Sequence, residues 1–134
     1  MNFKIDTKEK FTVITPLTGN LSDKLTEELV QIATEQLKKD LKNIVVNLKN
    51  VFSINESAAT HLVKLEQTFY ENNASFVICE LQPSVETEFD KDELLDLINI
   101  TPTESEAWDI VQMEEIEREL MNSDDVSFDE EDEE

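Results

Sequence analysis

Ile44, Val45 and Val46 stand side by side in the middle of the chain, and this run narrows the possible folds more than any other feature. Successive side chains of a strand leave on opposite faces, so three apolar branched residues in a row need cover above and below. A sheet with one face in water cannot hold them. The segment NIVVNLKNV, residues 43–51, is therefore predicted to be an inner strand of a sheet packed by helices on both sides.

The flanking sequence supplies such helices. From Ser22, a suitable N-cap, Leu25, Leu29, Ile32, Ala33 and Leu37 recur at helical spacing, with Asp23, Glu27, Glu28, Glu35, Lys38 and Lys39 between them. After the inner strand, Ala58, Ala59, Leu62, Leu65 and Phe69 give a second helix that runs to about Tyr70 and stops at Asn72 and Asn73. NFKID and FTVITPL alternate apolar and polar residues around TKEK, which predicts two antiparallel strands, the second closed by Pro16. ASFVICEL, residues 74–81, is a further buried strand.

Beyond Pro83 the chain to Phe89 is polar and is expected to be a loop. Asp90 and Glu93 have capping-box spacing ahead of Leu94, Leu97 and Ile98, predicting a short helix, and NIT, residues 99–101, a small edge strand. Thr103 and Glu106 form a second capping-box pair, followed by a last helix with Ala107, Ile110, Val111 and Leu120 on one side, ending near Met121. Strands that alternate with helices demand crossover connections. The expected architecture is an α/β domain with a mixed sheet of about four or five strands, mostly parallel with an antiparallel first strand, packed by about four helices. Residues 1–121 would form this one domain, and residues 122–134 a disordered acidic tail.

Several function classes drop out on composition. The single glycine, Gly19, rules out both a Walker A loop and a GxGxxG turn, so phosphate-cradling nucleotide enzymes of those types are excluded. One histidine, His61, leaves no imidazole set for a metal site or for a Ser-His-Asp arrangement. Neighbouring carboxylates such as Glu27 with Glu28 or Glu114 with Glu115 point apart on a helix and make no acid/base dyad. The formal charge of -21 argues against nucleic acid as a partner and for basic protein surfaces. Eight of those negative charges lie in SDDVSFDEEDEE at the C-terminus, so the remainder is acidic in its own right.

The lone Cys79 has no internal partner and falls in an apolar strand, the setting of an inert core thiol in a reducing compartment. Trp108 is expected as a core or edge aromatic. The beginning of the chain has no apolar run, and no stretch reaches the ~18 apolar residues of a membrane span. The expectation is a cytoplasmic, non-enzymatic protein without cofactor or metal.

Between the inner strand and its helix lies VFSINESAATHL, residues 51–62, in which Ser53, Asn55, Glu56 and Ser57 crowd together. Capping alone explains most of them. Ser53 and Glu56 have the S-x-x-E spacing of a capping box, Asn55 is itself a good N-cap, and Ser57 would then occupy the first turn.

This element order, with IVVNLKNVFSINESAATHLVKL at its centre and ITPTESEAWDIV near its end, resembles the STAS domain shared by sulphate transporters and anti-sigma-factor antagonists. The resemblance covers residues 2–121. In the antagonist branch a motif such as D-S-S-G or D-S-T-G joins the strand to the helix, and its second hydroxyl is phosphorylated. Aligned on this motif, Asn55 takes the Asp position, Glu56 the first Ser, Ser57 the phosphoacceptor and Ala58 the Gly. The resemblance implies a regulatory binding domain whose partner is a serine kinase that is itself the anti-sigma factor. The implied contact surface comprises Ser53, Asn55, Glu56, Ser57, Ala58 and His61, on a monomer or weak dimer. A second implied role is an unphosphorylated adaptor or scaffold subunit of a signalling or lipid-transport complex.

Overall fold

The computed structural model describes residues 3–8, 10–39, 43–91 and 93–123. Its centre is the inner strand, which covers Ile44–Asn47 rather than the predicted 43–51 because the Val51 N–H turns back to Leu48 O. β1 (Phe3–Thr7) and β2 (Thr12–Pro16) pair antiparallel; after β3 (Asn20–Leu21) and α1 (Asp23–Gln36), β4 (Ile44–Asn47) runs parallel to β2. Then follow β5 (Ser53–Ile54), α2 (Glu56–Glu71), β6 (Phe76–Cys79), α3 (Pro83–Lys91), a 3₁₀ turn (Leu94–Leu97), β7 (Ile100–Thr101) and α4 (Glu104–Ser123). Among the described residues the main sheet has five strands in the order β1-β2-β4-β6-β7, all parallel except β1.

Register turns the strand alternation into two cores. Val13, Val45 and Val77 lie in one row across β2, β4 and β6, while Ile14, Val46 and Ile78 form the next row on the opposite face. The second row, with Ile44 and Phe76, belongs to the larger core, where α1, α2 and α3 contribute Leu29, Ala33, Leu62, Phe69, Val85 and Phe89. The first row, with Cys79 and Phe11, is covered by α4 through Ala107 and Val111, and Trp108 stacks on Phe11 at a ring-centroid distance of 5.3 Å. Each fully buried Leu, Phe or Ile contributes about 1.5–3 kcal/mol relative to exposure. Burial pushes the Cys79 thiol up to about 12, with the charges of Glu80 and Glu104 adding to the effect, so it is the inert core thiol expected.

Four expectations about the second half of the chain need correction. The polar segment after Pro83 is a helix, not a loop: Pro83 suits a first helical turn, and Val85 and Phe89, four residues apart, bury one side of α3. The Asp90–Glu93 pair does not cap a new helix, because Asp90 is still in α3; its carbonyl accepts from the Glu93 N–H, and Glu93 turns left-handed (φ 60°) into the 3₁₀ turn. On α4, Leu120 is 64% exposed and does not share a side with Val111, from which it is about 180° around the helix. α4 also continues to Ser123, beyond the predicted end, and the expected tail from residue 124 lies outside the described residues. No described helix is long and apolar enough to cross a membrane.

At the amino ends of the parallel strands the first residues are polar and buried. Asn43 and Ser75 precede β4 and β6; the Ser75 N–H donates to Asn43 Oδ1 (2.9 Å), and the guanidinium of the single arginine, Arg118 on α4, donates to both Asn43 Oδ1 and Ser75 Oγ (3.3 Å). Ser75 and Asn43 donate in turn to Glu114 and Glu115, so α4 is tied to the sheet edge by a satisfied polar network. The Asn99 side chain donates to Glu114 Oε2 (3.2 Å), and its backbone N–H to Glu66 Oε1 of α2 (2.9 Å).

Burial pushes the Glu66 carboxyl from its ordinary 4.5 up to about 7; the Asn99 N–H opposes this and the Glu114 charge adds to it. Between those two values the folded chain holds a proton that the unfolded chain releases, so this group adds stability as pH falls from above 7 toward 4.5. Denaturant midpoints measured across this range should show Glu66→Gln more stable than wild type above pH 7, the difference vanishing near pH 4.5. A constant difference across the range would place the effect elsewhere.

Candidate functional site

The residues singled out in the sequence sit where β4 ends, at the carboxyl edge of the parallel sheet, the edge at which open α/β sheets present their binding groups. The connection is built tightly. Leu48 N–H donates to Cys79 O (3.0 Å), the Asn47 side chain accepts from Lys49 N (3.0 Å), and Val51 N–H returns to Leu48 O (3.0 Å). The chain then meets the loop after β2: the N–H groups of Phe52 and Ser53 both donate to Gly19 O, at 2.7 and 3.0 Å. β5 follows as a two-residue parallel partner of β3, with Asn20 opposite Ser53 and Leu21 opposite Ile54. Leu21 and Ile54 are buried and anchor this pair to the core.

That pairing settles which residue starts α2. Ser53 is committed to β5 and its hydroxyl donates to Asn20 Oδ1 (2.6 Å), so the Ser53–Glu56 capping box does not form. Asn55 is the N-cap: its backbone is extended (φ -97°, ψ 173°) and its Oδ1 accepts from Ala58 N at 2.8 Å. Glu56 and Ser57 are then the first two helical residues, both exposed, and Glu56 lies at the positive end of the helix dipole, where a carboxylate is stabilising. Among the described residues Ser57 Oγ makes no hydrogen bond, and the first-turn amides have no carbonyl one turn earlier to bond to.

The six candidates therefore divide. Ser53, Asn55, Glu56, Ser57 and His61 are at the surface; Ala58 is fully buried and, with Ala59, packs the first turn of α2 into the core, so its side chain offers nothing to a partner. His61 lies one turn on from Ser57 and its Nδ1 donates to Ser57 O (2.8 Å), which fixes the ring beside the serine and leaves Nε2 facing away from that bond. Two apolar residues join this surface that sequence reasoning missed: Phe52 is 58% exposed and Leu17 51% exposed, on the two loops that Gly19 holds together. No periodic signal could have found them, because both lie in connections outside the strands and helices. Ser84 of α3 supports the loop from below by donating to Phe52 O.

The groups available here are two exposed apolar side chains, the first amides of a helix, one carboxylate and a hydroxyl that has no hydrogen bond among the described residues. Among the described residues no group of three His, Cys, Asp or Glu is placed to hold a metal ion.

The comparisons with known proteins bear on the family and the fold. The family model for the STAS domain matches residues 2–107. No curated protein sequence matches the chain. Among solved structures the chain is similar to the anti-sigma factor antagonist SpoIIAA in its unphosphorylated form, at 20% identity and a TM-score of 0.66 over 82% of this chain and 96% of that one. The phosphorylated form of SpoIIAA, a Bacillus cell-fate determinant, is similar at 17% identity and a TM-score of 0.60 over 81% and 98%. A putative anti-sigma factor antagonist from Thermotoga maritima reaches a TM-score of 0.72 at 20% identity, over 82% and 94%.

The capping assignment separates the residues of this loop by their effect on stability. Asn55→Ala should cost about 1 kcal/mol in urea denaturation and Asn55→Asp little. Ser53→Ala, which loses only an exposed bond, should stay within about 0.5 kcal/mol. Equal losses at 53 and 55 would contradict the assignment.

Proposed function

This chain belongs to the STAS domain family, and from that premise we propose that it is a non-enzymatic, cytoplasmic regulator of the anti-sigma-factor-antagonist kind, which binds a serine kinase or related regulatory protein through the start of α2. Phosphorylation of Ser57 by that partner is the switch. The observation that carries this reading is Ser57 itself: an exposed hydroxyl without a hydrogen bond among the described residues, in the first turn of a helix whose cap and flanking strands are already satisfied by other residues.

Physical chemistry supports the economy of such a switch. A phosphate adds about -1.5 to -2 charges at neutral pH, and the helix start, with its dipole and unpaired amides, accommodates that charge without unfolding. The neighbouring surface changes far more than the fold, because Ala58, Ala59 and Ile54 beneath remain buried. A partner seated on Phe52 and Leu17 would meet two carboxylate-like groups, Glu56 and the phosphate, where it had met one. Repulsion and the cost of desolvating the phosphate then release it.

Glu56 favours a second reading, in which the fixed charge at the first position of α2 already sets the partner and Ser57 is never modified, the domain serving as an adaptor or scaffold subunit of a signalling or lipid-transport complex. Affinity capture from the native cell extract with wild type, Ser57→Ala, Ser57→Asp, Glu56→Ser and Phe52→Ala separates the two. The switch requires a partner held by wild type and Ser57→Ala and lost by Ser57→Asp, with phosphoserine at position 57 in the mass spectrum of the native protein. Loss in Glu56→Ser but in neither Ser57 variant, with no phosphoserine, selects the adaptor. Phe52→Ala should cost about 2 kcal/mol of binding in either case, and a partner indifferent to all four substitutions would move the interface away from α2.

A further inference from the structure

α4 is apolar on two opposite sides. Ala107 and Val111 face the sheet, whereas Met113, Ile116 and Leu120 lie between about 140° and 200° around the helix from Val111 and are 56%, 56% and 64% exposed. The fold uses only the first of these faces. The second runs for about two turns along the outside of the molecule, on the sheet face opposite to α1, α2 and α3, and is a different surface from the one around Ser57.

The charges along it are of one sign. Glu106, Asp109, Glu117 and Glu119 are exposed on and beside the apolar stripe. The one basic residue of α4, Arg118, is turned to the sheet, where Asn43 and Ser75 hold its guanidinium, so no cation on this helix neutralises the outward carboxylates. We propose that the outward face of α4 is a second docking surface, which takes a basic amphipathic helix of a partner protein, its apolar side on Met113, Ile116 and Leu120 and its Lys or Arg side chains against the flanking carboxylates.

Charge complementarity selects this occupant over the alternatives. A second copy packed helix to helix would oppose carboxylate to carboxylate between chains of formal charge -21. An anionic lipid surface attracts helices with basic margins, the reverse of this one. A basic helix instead completes the pattern of apolar anchors at helical spacing within a charged rim. Arg118 and its network hold α4 against the sheet, so the face is presented by a rigid element.

The test uses the full chain and a synthetic peptide of about 14 residues with Leu on one helical face and Lys on the other, beside a scrambled peptide of the same composition. The ordered peptide should bind at micromolar Kd with amide shifts confined to α4, and the scrambled one at least about tenfold more weakly. Ile116→Ser with Leu120→Ser should weaken binding by about tenfold or more at an unchanged melting temperature, and Asp109→Lys with Glu117→Lys should do the same. Phe52→Ala should leave it unaltered. Equal binding of the two peptides, equal binding by the serine double variant, or shifts centred on residues 53–61 would overturn the proposal. So would a dimer in sedimentation that Ile116→Ser dissolves, which would assign the face to a second copy.

Discussion

The fold depends on the requirement that β4 be covered twice. Val45 and Val46 are adjacent and fully buried, yet they look into different cores, so neither helical layer can be dispensed with. The two layers are unequal. α1, α2 and α3 build a large core on the Val46 side, whereas on the Val45 side α4 covers a narrow strip completed by the Phe11–Trp108 stack. A single helix on that side has a rim in water, and the polar network of Asn43, Ser75, Glu114, Glu115 and Arg118 fixes its far end where apolar contact runs out. Such a network is stabilising because each buried partner is satisfied, and losing one member would strand the others.

The same central strand places the candidate site. β4 hands the chain directly to the 48–55 connection, which is held to β6 through Leu48 and to the loop after β2 through Gly19, before Asn55 starts α2. Three separate anchors converge on a segment of eight residues, so the exposed side chains around Ser57 are presented by a stiff support. A group added to that surface acts on what docks there and leaves the core as it is. The opposite edge of the sheet is organised differently. There the polar groups are turned inward, and the Glu66 carboxyl is kept near neutrality by its burial and by Glu114.

How much of this could be read from the residues follows a physical division. Long periodic elements were legible: α1, α2, the inner strands and the antiparallel first pair fall where their spacing put them, since many apolar positions vote for the same face. Short elements were read unevenly: β7 falls within the expected NIT edge strand and the 3₁₀ turn within the expected short helix, whereas α3 and the β3–β5 pair were not foreseen. α3 buries only Val85 and Phe89, too few to raise a periodic signal above its polar residues, and the β3–β5 pair consists of two residues on each side brought together across some 30 positions of sequence. At the site, helix start and N-cap were visible as a set of candidates, but two rules competed for them. The Gly19 carbonyl and Asn20 drew Ser53 into a strand, and that long-range pairing, invisible locally, left Asn55 as the cap.

The sequence by itself determined that this is a two-sided α/β domain and that a helix begins near residue 55, because both follow from local periodicity and capping chemistry; its STAS type was read from a resemblance of element order and sequence frame, which the family model bears out. Tertiary structure decided which side chains the surface keeps. Ala58, counted with the binding residues, is enclosed by the core, Phe52 and Leu17 are left exposed on the two loops joined at Gly19, and Leu120 is turned away from the sheet that Val111 packs against. Exposure is fixed by what lies opposite each residue in space, and for these positions the opposing groups come from distant parts of the chain.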